Sequence, residues 1–347
     1  MKKLNHPLVS LITPGWNGKS FVHRLLDSIL NQTYDNIEYI YVDDGSTDGT
    51  KEVVLSYEEK FREKKISFRY VYKENGGVSS AVQEGLKYVN GECLGWPEYD
   101  DILLEDSIEK RVRYLELHPE CAVVTSDAWL VSENSIGKPY GVLSSYNVNR
   151  YDKNHFVQAL LTNSIFTAAC HLVRMDAFDE THPNRVIYPS WIGPNWQMLL
   201  PLYYKYERSF IDEPLVYYVV RDSSISHSHD SLQKKLDAID EYMRILKNTL
   251  ERIEMPDVDR NLYKKLVNEK YARDWMNLGF LYKNKIVFSK GYHYYLDHEL
   301  KISNLRKMQK LALYLPLFYY GYKCLNRINL LFSKVFNERA LNIPKEK

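Results

Sequence analysis

The first 110 residues alternate between strand-type and helix-type apolar spacing, and that alternation limits the folds open to the chain. Val9 to Thr13 is a short apolar run that reads as a buried strand, ended by Pro14-Gly15. Lys19 to Asn31 carries Phe21, Leu25, Ser28 and Ile29 at helical spacing. Ile37 to Val42 is a second strand, and Ser46-Thr47-Asp48 supplies cap chemistry for a helix from Thr50 to Lys60. Phe68 to Tyr72 is a third strand, after which Asn75-Gly76-Gly77 turns into a helix over Ser79 to Val89. Repeated β-α-β units predict a mainly parallel, twisted sheet with helices on both faces.

In such a sheet, ligands bind at the carboxyl ends of the strands. Two acidic clusters fall there. Asp43-Asp44-Gly45-Ser46 closes the second strand, and Glu98-Tyr99-Asp100-Asp101 follows Cys93-Leu94-Gly95-Trp96. One cluster can accept hydrogen bonds from a nucleotide while the other holds a hard divalent cation against its phosphates. The pattern points to a metal-dependent enzyme acting on a nucleotide-activated substrate. Taken singly, each cluster has a simpler reading as an Asx turn or a solvated acidic turn.

The order of the segments is more specific. It runs Val9-Ser10-Leu11-Ile12-Thr13-Pro14-Gly15-Trp16-Asn17, then Gln32-Thr33, then Val42-Asp43-Asp44-Gly45-Ser46-Thr47-Asp48-Gly49-Thr50. Glu74-Asn75-Gly76-Gly77-Val78-Ser79 follows, and Gly91-Glu92 leads into Trp96-Pro97-Glu98-Tyr99-Asp100-Asp101. Over residues 7 to 220 the chain resembles the family 2 glycosyltransferases. The resemblance implies an α/β chain with the GT-A fold: a Rossmann-like mixed, mainly parallel sheet with flanking helices, followed here by a helical C-terminal region. It also implies an inverting transfer of sugar from a nucleotide-sugar, UDP-linked, to an acceptor hydroxyl in cell-surface polysaccharide or capsule synthesis. By the same resemblance Thr13, Pro14 and Trp16 border the nucleotide, with Trp16 stacked on uracil and Asp44 accepting from the base. Glu98-Tyr99-Asp100 stands at the family's D-x-D position, so Asp100, with Glu98, would hold Mg²⁺ or Mn²⁺ on the diphosphate.

Three departures from the family pattern matter. Glu98 replaces the usual first Asp. Val82-Gln83 stands where many relatives carry Arg-Asn, which leaves the Gln83 amide for the nucleotide and removes a charge. Gly193-Pro194-Asn195-Trp196-Gln197-Met198 stands where the family places Gly-Glu-Asp, that Asp being the general base. An amide takes no proton at neutral pH, so Asn195, with Trp196 and Gln197, is expected to orient the acceptor. The base is then elsewhere, or the chain is catalytically impaired. The polar segment Arg221 to His229 offers His227 and His229 as metal or diphosphate contacts on a closing loop. Two other readings compete. A sugar-nucleotide-binding pseudoenzyme is motivated by Glu98 and Asn195. A nucleotidyltransferase would favour a Gly- and Arg-rich phosphate loop, which this N-terminal segment lacks.

After Pro119 the sequence predicts a strand over Ala122 to Thr125, a hairpin around Asn134 to Gly137 and a helix from Trp196 to Tyr206. Beyond Ser231 it reads as helical: Leu232 to Ile253, Asn261 to Tyr282 and Tyr292 to Leu300. The expected division is residues 1–110 for the nucleotide-sugar half, 111–230 for the acceptor half and 231–347 for the helical region. A net charge of +1 gives no electrostatic case for nucleic acid. It conceals a net +8 from Lys301 onward against −7 before it. Met308, Leu311, Ala312 and Leu315 share a helical face, and an apolar stripe from Leu317 to Val335 is bordered by Lys323, Arg327 and Lys334. This is the pattern of an interfacial helix on an anionic membrane, where a glycan or lipid-linked acceptor would be met. A helical cap or dimer contact explains it equally. Cys93, Cys121, Cys170 and Cys324 lack metal spacing and read as reduced thiols of a cytoplasmic protein, peripheral on the inner face of the membrane.

Overall fold

Strands form where the sequence runs apolar between turns. The computed structural model describes residues 1–315 apart from 147–148, 153–154 and 222–230. Among these, nine strands make one sheet: β1 (Val9–Gly15), β2 (Ile37–Asp43), β3 (Ser67–Tyr72), β4 (Cys93–Gly95), β5 (Ile102–Leu103), β6 (Cys121–Ser132), β7 (Gly141–Val142), β8 (His171–Arg174) and β9 (Glu207–Val220). Their order is β3-β2-β1-β4-β8-β6-β9-β5, with β7 on β6. β1, β2, β3 and β4 are parallel. β8 enters antiparallel between β4 and β6, β9 runs parallel to β6, and β5 and β7 are antiparallel additions. The sheet is thus mixed and mainly parallel, as expected.

β1 extends through Pro14 and Gly15, paired with Val42 and Asp43, beyond the end at Thr13 expected from the proline. β4 flanks β1 only at Val9–Leu11. One edge of β1 is therefore free of a ladder at Pro14, and its missing N–H is tolerated there. The pairing of β6 with β9 is irregular, with shifts around Ser126 and Asp127, and β5 joins β9 through Ile102–Tyr217 and Leu103–Val216.

The helices are α1 (Val22–Leu30), α2 (Thr50–Leu55), α3 (Glu58–Glu63), α4 (Val78–Leu86), α5 (Ser107–Leu117), α6 (His155–Leu160), α7 (Met175–Thr181), α8 (Pro194–Lys205), α9 (Leu232–Arg252), α10 (Asp257–Leu281), α11 (Lys285–Asp297) and α12 (Asn304–Tyr314). α1 buries Val22, Leu25, Leu26 and Ile29, in keeping with its apolar spacing. The single helix expected over Thr50 to Lys60 is broken into α2 and α3. Ser56 Oγ donates to the Val53 carbonyl at 2.7 Å, and Tyr57 N bonds Val54 O. These short-range bonds compete with the helical ladder.

Two buried guanidiniums brace α5 on β8. Arg111 donates to Ser107 Oγ and Ala169 O, each at 2.6 Å, and Arg174 donates to the Cys121 and Lys2 carbonyls at 3.0 Å and to Leu115 O. All these acceptors are neutral, and burial pushes the Arg111 guanidinium down to about 10. Losing either side chain would strand several buried carbonyls, at about 1–3 kcal/mol each.

The chain divides into two units, one of Met1–Asp230 with Asp237–Lys264 and the other of Ser231–Leu236 with the residues from 265 on. In the second unit α10 and α11 meet backbone to backbone: a Cβ on Gly291 would lie 2.1 Å from the Ala272 carbonyl. On α12, Ala312 is buried while Leu305, Met308, Leu311 and Tyr314 are exposed, as is Leu315 just beyond it. The stripe from Leu317, with Lys323, Cys324, Arg327 and Lys334, lies outside the described residues, as do His227 and His229. Among the described residues no helix is long and apolar enough to cross a membrane. Cys93, Cys121 and Cys170 are buried free thiols.

Candidate active site

Both acidic clusters arrive at one edge of the sheet. β1 and β2 end level, Gly15 against Asp43, and Asp44 N donates to Gly15 O at 2.8 Å. β4 stops beside Leu11, so Trp96 to Asp101 continue past the end of that pairing. The Tyr99 ring then lies against Gly18, where a Cβ would come within 2.8 Å of it.

Of the residues expected at the nucleotide, Trp16 is 45% exposed, which removes the reading of a core tryptophan. Its neighbour Asn17 is tied to the turn after β2, donating from N to Ser46 Oγ and accepting from Thr47 N, both at 2.9 Å. Thr13 and Pro14 are buried in β1, directly before that loop. Asp43 is fully buried and accepts from Ser46 N and from the Tyr70 hydroxyl at 2.7 Å. Asp44 Oδ1 accepts from Lys73 Nζ at 2.6 Å and Gly76 N at 3.0 Å, and Oδ2 accepts from Gly77 N at 2.8 Å. Gly77 has φ +87°, and a Cβ there would lie 2.5 Å from Trp191 Cα, so only glycine fits. Sequence spacing does not single out Lys73; its one signal is a lone basic residue directly after the third strand. The Gln83 amide, expected at the nucleotide, instead spans to the segment before α8, donating to Arg185 O at 3.0 Å and accepting from Ile187 N at 2.6 Å.

The segment expected to hold a metal is a tight acidic turn. Asp101 N donates to Glu98 O, and Glu98 N donates to Asp101 Oδ2, each at 3.1 Å. Burial, and then the charge of Asp100, push the Glu98 carboxyl up to about 7. Burial, and then the charges of Asp100 and Glu98, hold the Asp101 carboxyl well above the usual carboxylate range. Arg221, 7% exposed, pairs with Asp100 Oδ2 and lays its guanidinium 4.3 Å from the Phe21 ring centroid. Among the described residues no ready-made set of three ligands is assembled. Crowded carboxylates with a guanidinium on one of them are a donor set that fits a divalent cation.

The residues expected on the acceptor side face inward. Asn195 Oδ1 accepts from Trp96 Nε1 at 2.7 Å, and its Nδ2 donates to Phe166 O at 2.6 Å. Trp96 is buried and stacked on His171, and burial holds that imidazole neutral, well below its usual range. Trp196 Nε1 donates to Ala159 O, and Gln197 clasps the backbone of Tyr188, accepting from its N at 2.5 Å and donating to its O at 2.9 Å. α8 begins at Pro194 after Gly193 in the left-handed region, and that entry turns Trp196 and Gln197 toward the core.

One sheet end thus gathers an aromatic, a buried carboxylate and an acidic turn, on a mixed, mainly parallel sheet of the GT-A type. Residues 10–181 match the family described as Glycosyl transferase family 2, and over that stretch the chain belongs to it. An uncharacterized glycosyltransferase of Rickettsia bellii is 33% identical over 195 residues, 54% of this chain and 27% of the relative. The chain therefore spans little more than a quarter of that relative's length. Among solved structures, S. aureus TarS 1-349 in complex with UDP-GlcNAc aligns with a TM-score of 0.55 at 18% identity, covering 88% of this chain and 79% of that one. The mannosyltransferase PcManGT of Pyrobaculum calidifontis, in complex with GDP-Man and Mn2+, aligns with a TM-score of 0.54 at 17% identity, covering 90% and 83%. At such identities these likenesses establish the fold.

Proposed function

We propose that the chain is an inverting glycosyltransferase that moves a sugar from a UDP-linked donor to an acceptor hydroxyl of a growing cell-surface polysaccharide. The observation that carries this reading is the convergence of Trp16, Asp44 and the Glu98–Asp101 turn on one sheet edge. Trp16 offers a flat face to a pyrimidine ring, with Thr13 and Pro14 just before it in the chain. Asp44 anchors the 75–77 loop and, with three of its four acceptor sites taken, keeps one on Oδ2 for an imide N–H. Asp100 and Glu98 would hold Mg²⁺ or Mn²⁺, which supplies charge neutralisation at the departing diphosphate. The acceptor oxygen attacks the anomeric carbon opposite the breaking sugar–phosphate bond, and its proton passes to a base. Asn195 is not that base. Its role is to position Trp96, while Gln83 and Gln197 hold the loop before α8 and Trp196 ties α8 to Ala159 of α6.

The ligands of the two solved neighbours, a uridine and a guanosine sugar nucleotide, support a nucleotide-sugar donor and differ in the base. The Asn195 amide, engaged at both its oxygen and its nitrogen, favours one second reading, a donor-binding protein without transfer. The exposed row on α12 and the basic sequence after it support a peripheral contact with an anionic membrane on the cytoplasmic side. Failure to co-sediment with anionic vesicles at low salt would remove that contact. The donor-site reading is tested by calorimetric titration of UDP with and without Mn²⁺. Mn²⁺ should tighten binding in the wild type, and Asp100→Ala should lose most of the gain. Equal affinity in chelator and in Mn²⁺ would sink the assignment.

A further inference from the structure

The acidic turn already holds a cation. Arg221 closes β9, is 7% exposed, and donates from Nη2 to Asp100 Oδ2. Its Nε is buried without a hydrogen-bond partner among the described residues. The guanidinium is seated by aromatic rings, 4.3 Å from the Phe21 centroid and 5.9 Å from that of Tyr99. The placement is imposed by the sheet: β5 directly follows Asp101 and pairs with β9 at Tyr217 and Val216, which brings the end of β9 to the acidic turn.

Metal entering at Asp100 Oδ2 competes with the guanidinium already there, and metal on Oδ1 would set two positive groups on one carboxylate in a largely buried turn, an arrangement that low-dielectric surroundings oppose. A nucleoside diphosphate changes the balance. It brings negative oxygens that ligate the metal and offer the released guanidinium a bidentate partner.

We propose that Arg221 is a built-in surrogate cation that makes divalent-metal binding at Asp100 conditional on a nucleoside diphosphate. This rests on the donor-site reading above and deepens it. Arg221 acts here as a positioning residue: it holds the Asp100 carboxylate aligned in the free protein, and it keeps the metal site closed until donor arrives.

The test is Mn²⁺ binding to the full chain, followed by the electron paramagnetic resonance signal of free Mn²⁺, with and without UDP. Without UDP, Arg221→Gln should bind Mn²⁺ about ten-fold more tightly than wild type, because the competing charge-assisted hydrogen bond is gone. Arg221→Lys, which retains the charge, should stay near wild type. UDP should strengthen Mn²⁺ binding far more in wild type than in Arg221→Gln. Phe21→Leu provides a second route, since it loosens the guanidinium's seat without altering a carboxylate or a donor group. It should give a smaller gain in the same direction, and it keeps the idea open to refutation if Arg221→Gln does not fold. Unchanged or weaker Mn²⁺ affinity without UDP, in either folded variant, overturns the exchange. Absence of Mn²⁺ binding by wild type even with UDP is a separate result: it overturns the donor-site reading itself.

Discussion

Replacing Asn195 by aspartate tests whether this position is a vacant catalytic seat or a structural tie. The substitution is isosteric and supplies the carboxylate that the family carries there. In this chain the amide has two fixed partners, Trp96 Nε1 at 2.7 Å and Phe166 O at 2.6 Å. An aspartate keeps the first bond, since its oxygen still accepts. It loses the second and sets an anionic oxygen against a carbonyl oxygen. An unmade, partly buried hydrogen bond costs about 1–3 kcal/mol, and the two oxygens repel besides. Protonation relieves the conflict, because a neutral carboxyl donates to Phe166 O. The folded-state pKa of the introduced carboxyl is thereby raised above its unfolded value of about 3.9. Stability from the protonated form is complete below the unfolded value and is lost as pH rises through the folded one. Asn195→Asp should match wild type near pH 4 and fall about 1–3 kcal/mol below it by pH 8, read by urea denaturation at both pH values. A variant as stable as wild type at pH 8, with increased transfer activity, would refute this reasoning and restore the position to the acceptor side.

Other consequences can be checked alongside. Trp16→Ala should weaken UDP binding by about 1–3 kcal/mol, the worth of one base stacked on an aromatic ring, while stability moves less than about 0.5 kcal/mol because the side chain is half exposed. Unaltered UDP affinity would take the ring out of the site. Gly77→Ala should destabilise the chain by about 1–3 kcal/mol and impair UDP binding, since φ +87° and the contact with Trp191 leave no room for a methyl group. A fully stable, fully binding variant would show that the loop is not held as described. Mn²⁺ affinity in the presence of UDP should rise about ten-fold from pH 6 to pH 8, because Glu98, raised to about 7, must lose its proton to the metal. Comparison with Glu98→Gln cancels the titration of UDP itself, and identical slopes in the two proteins would exclude Glu98.

What the sequence discloses and what it conceals divides along contact range. The first two strands, the α1 stripe and the positions of Trp16, Asp44 and Asp100 rest on local spacing and segment order, and they are readable. The roles of Gln83, Asn195 and Gln197 depend on partners supplied by other segments: Arg185 and Ile187, Trp96 and Phe166, and Tyr188. An amide is equally suited to a ligand or to a backbone tie, and spacing does not distinguish them. Pro14 reads as a strand end because proline is barred from the middle of a central strand, and only the short reach of β4 lifts that bar. Arg221 stands out in the sequence only as the start of a polar segment. Its pairing with Asp100 follows from the β5–β9 register, which no local pattern encodes.

That register has a consequence for rebuilding the molecule. On β9, Ile211 faces Ser126 and Pro214 faces Asp127, so Asp212 and Glu213 have no counterpart on β6. Everything beyond them on β9, through Tyr217 to Arg221, is counted from that bulge and from a second shift, where three steps from Pro214 to Tyr217 match two from Asp127 to Trp129. Removing one of the two residues would turn the rest of the strand over and carry Arg221 away from Asp100. Removing both would restore the facing but shift β9 along β6 and β5. A chimera that joins this donor half to another acceptor half must therefore conserve the residue count at the bulge more strictly than the residue types in it.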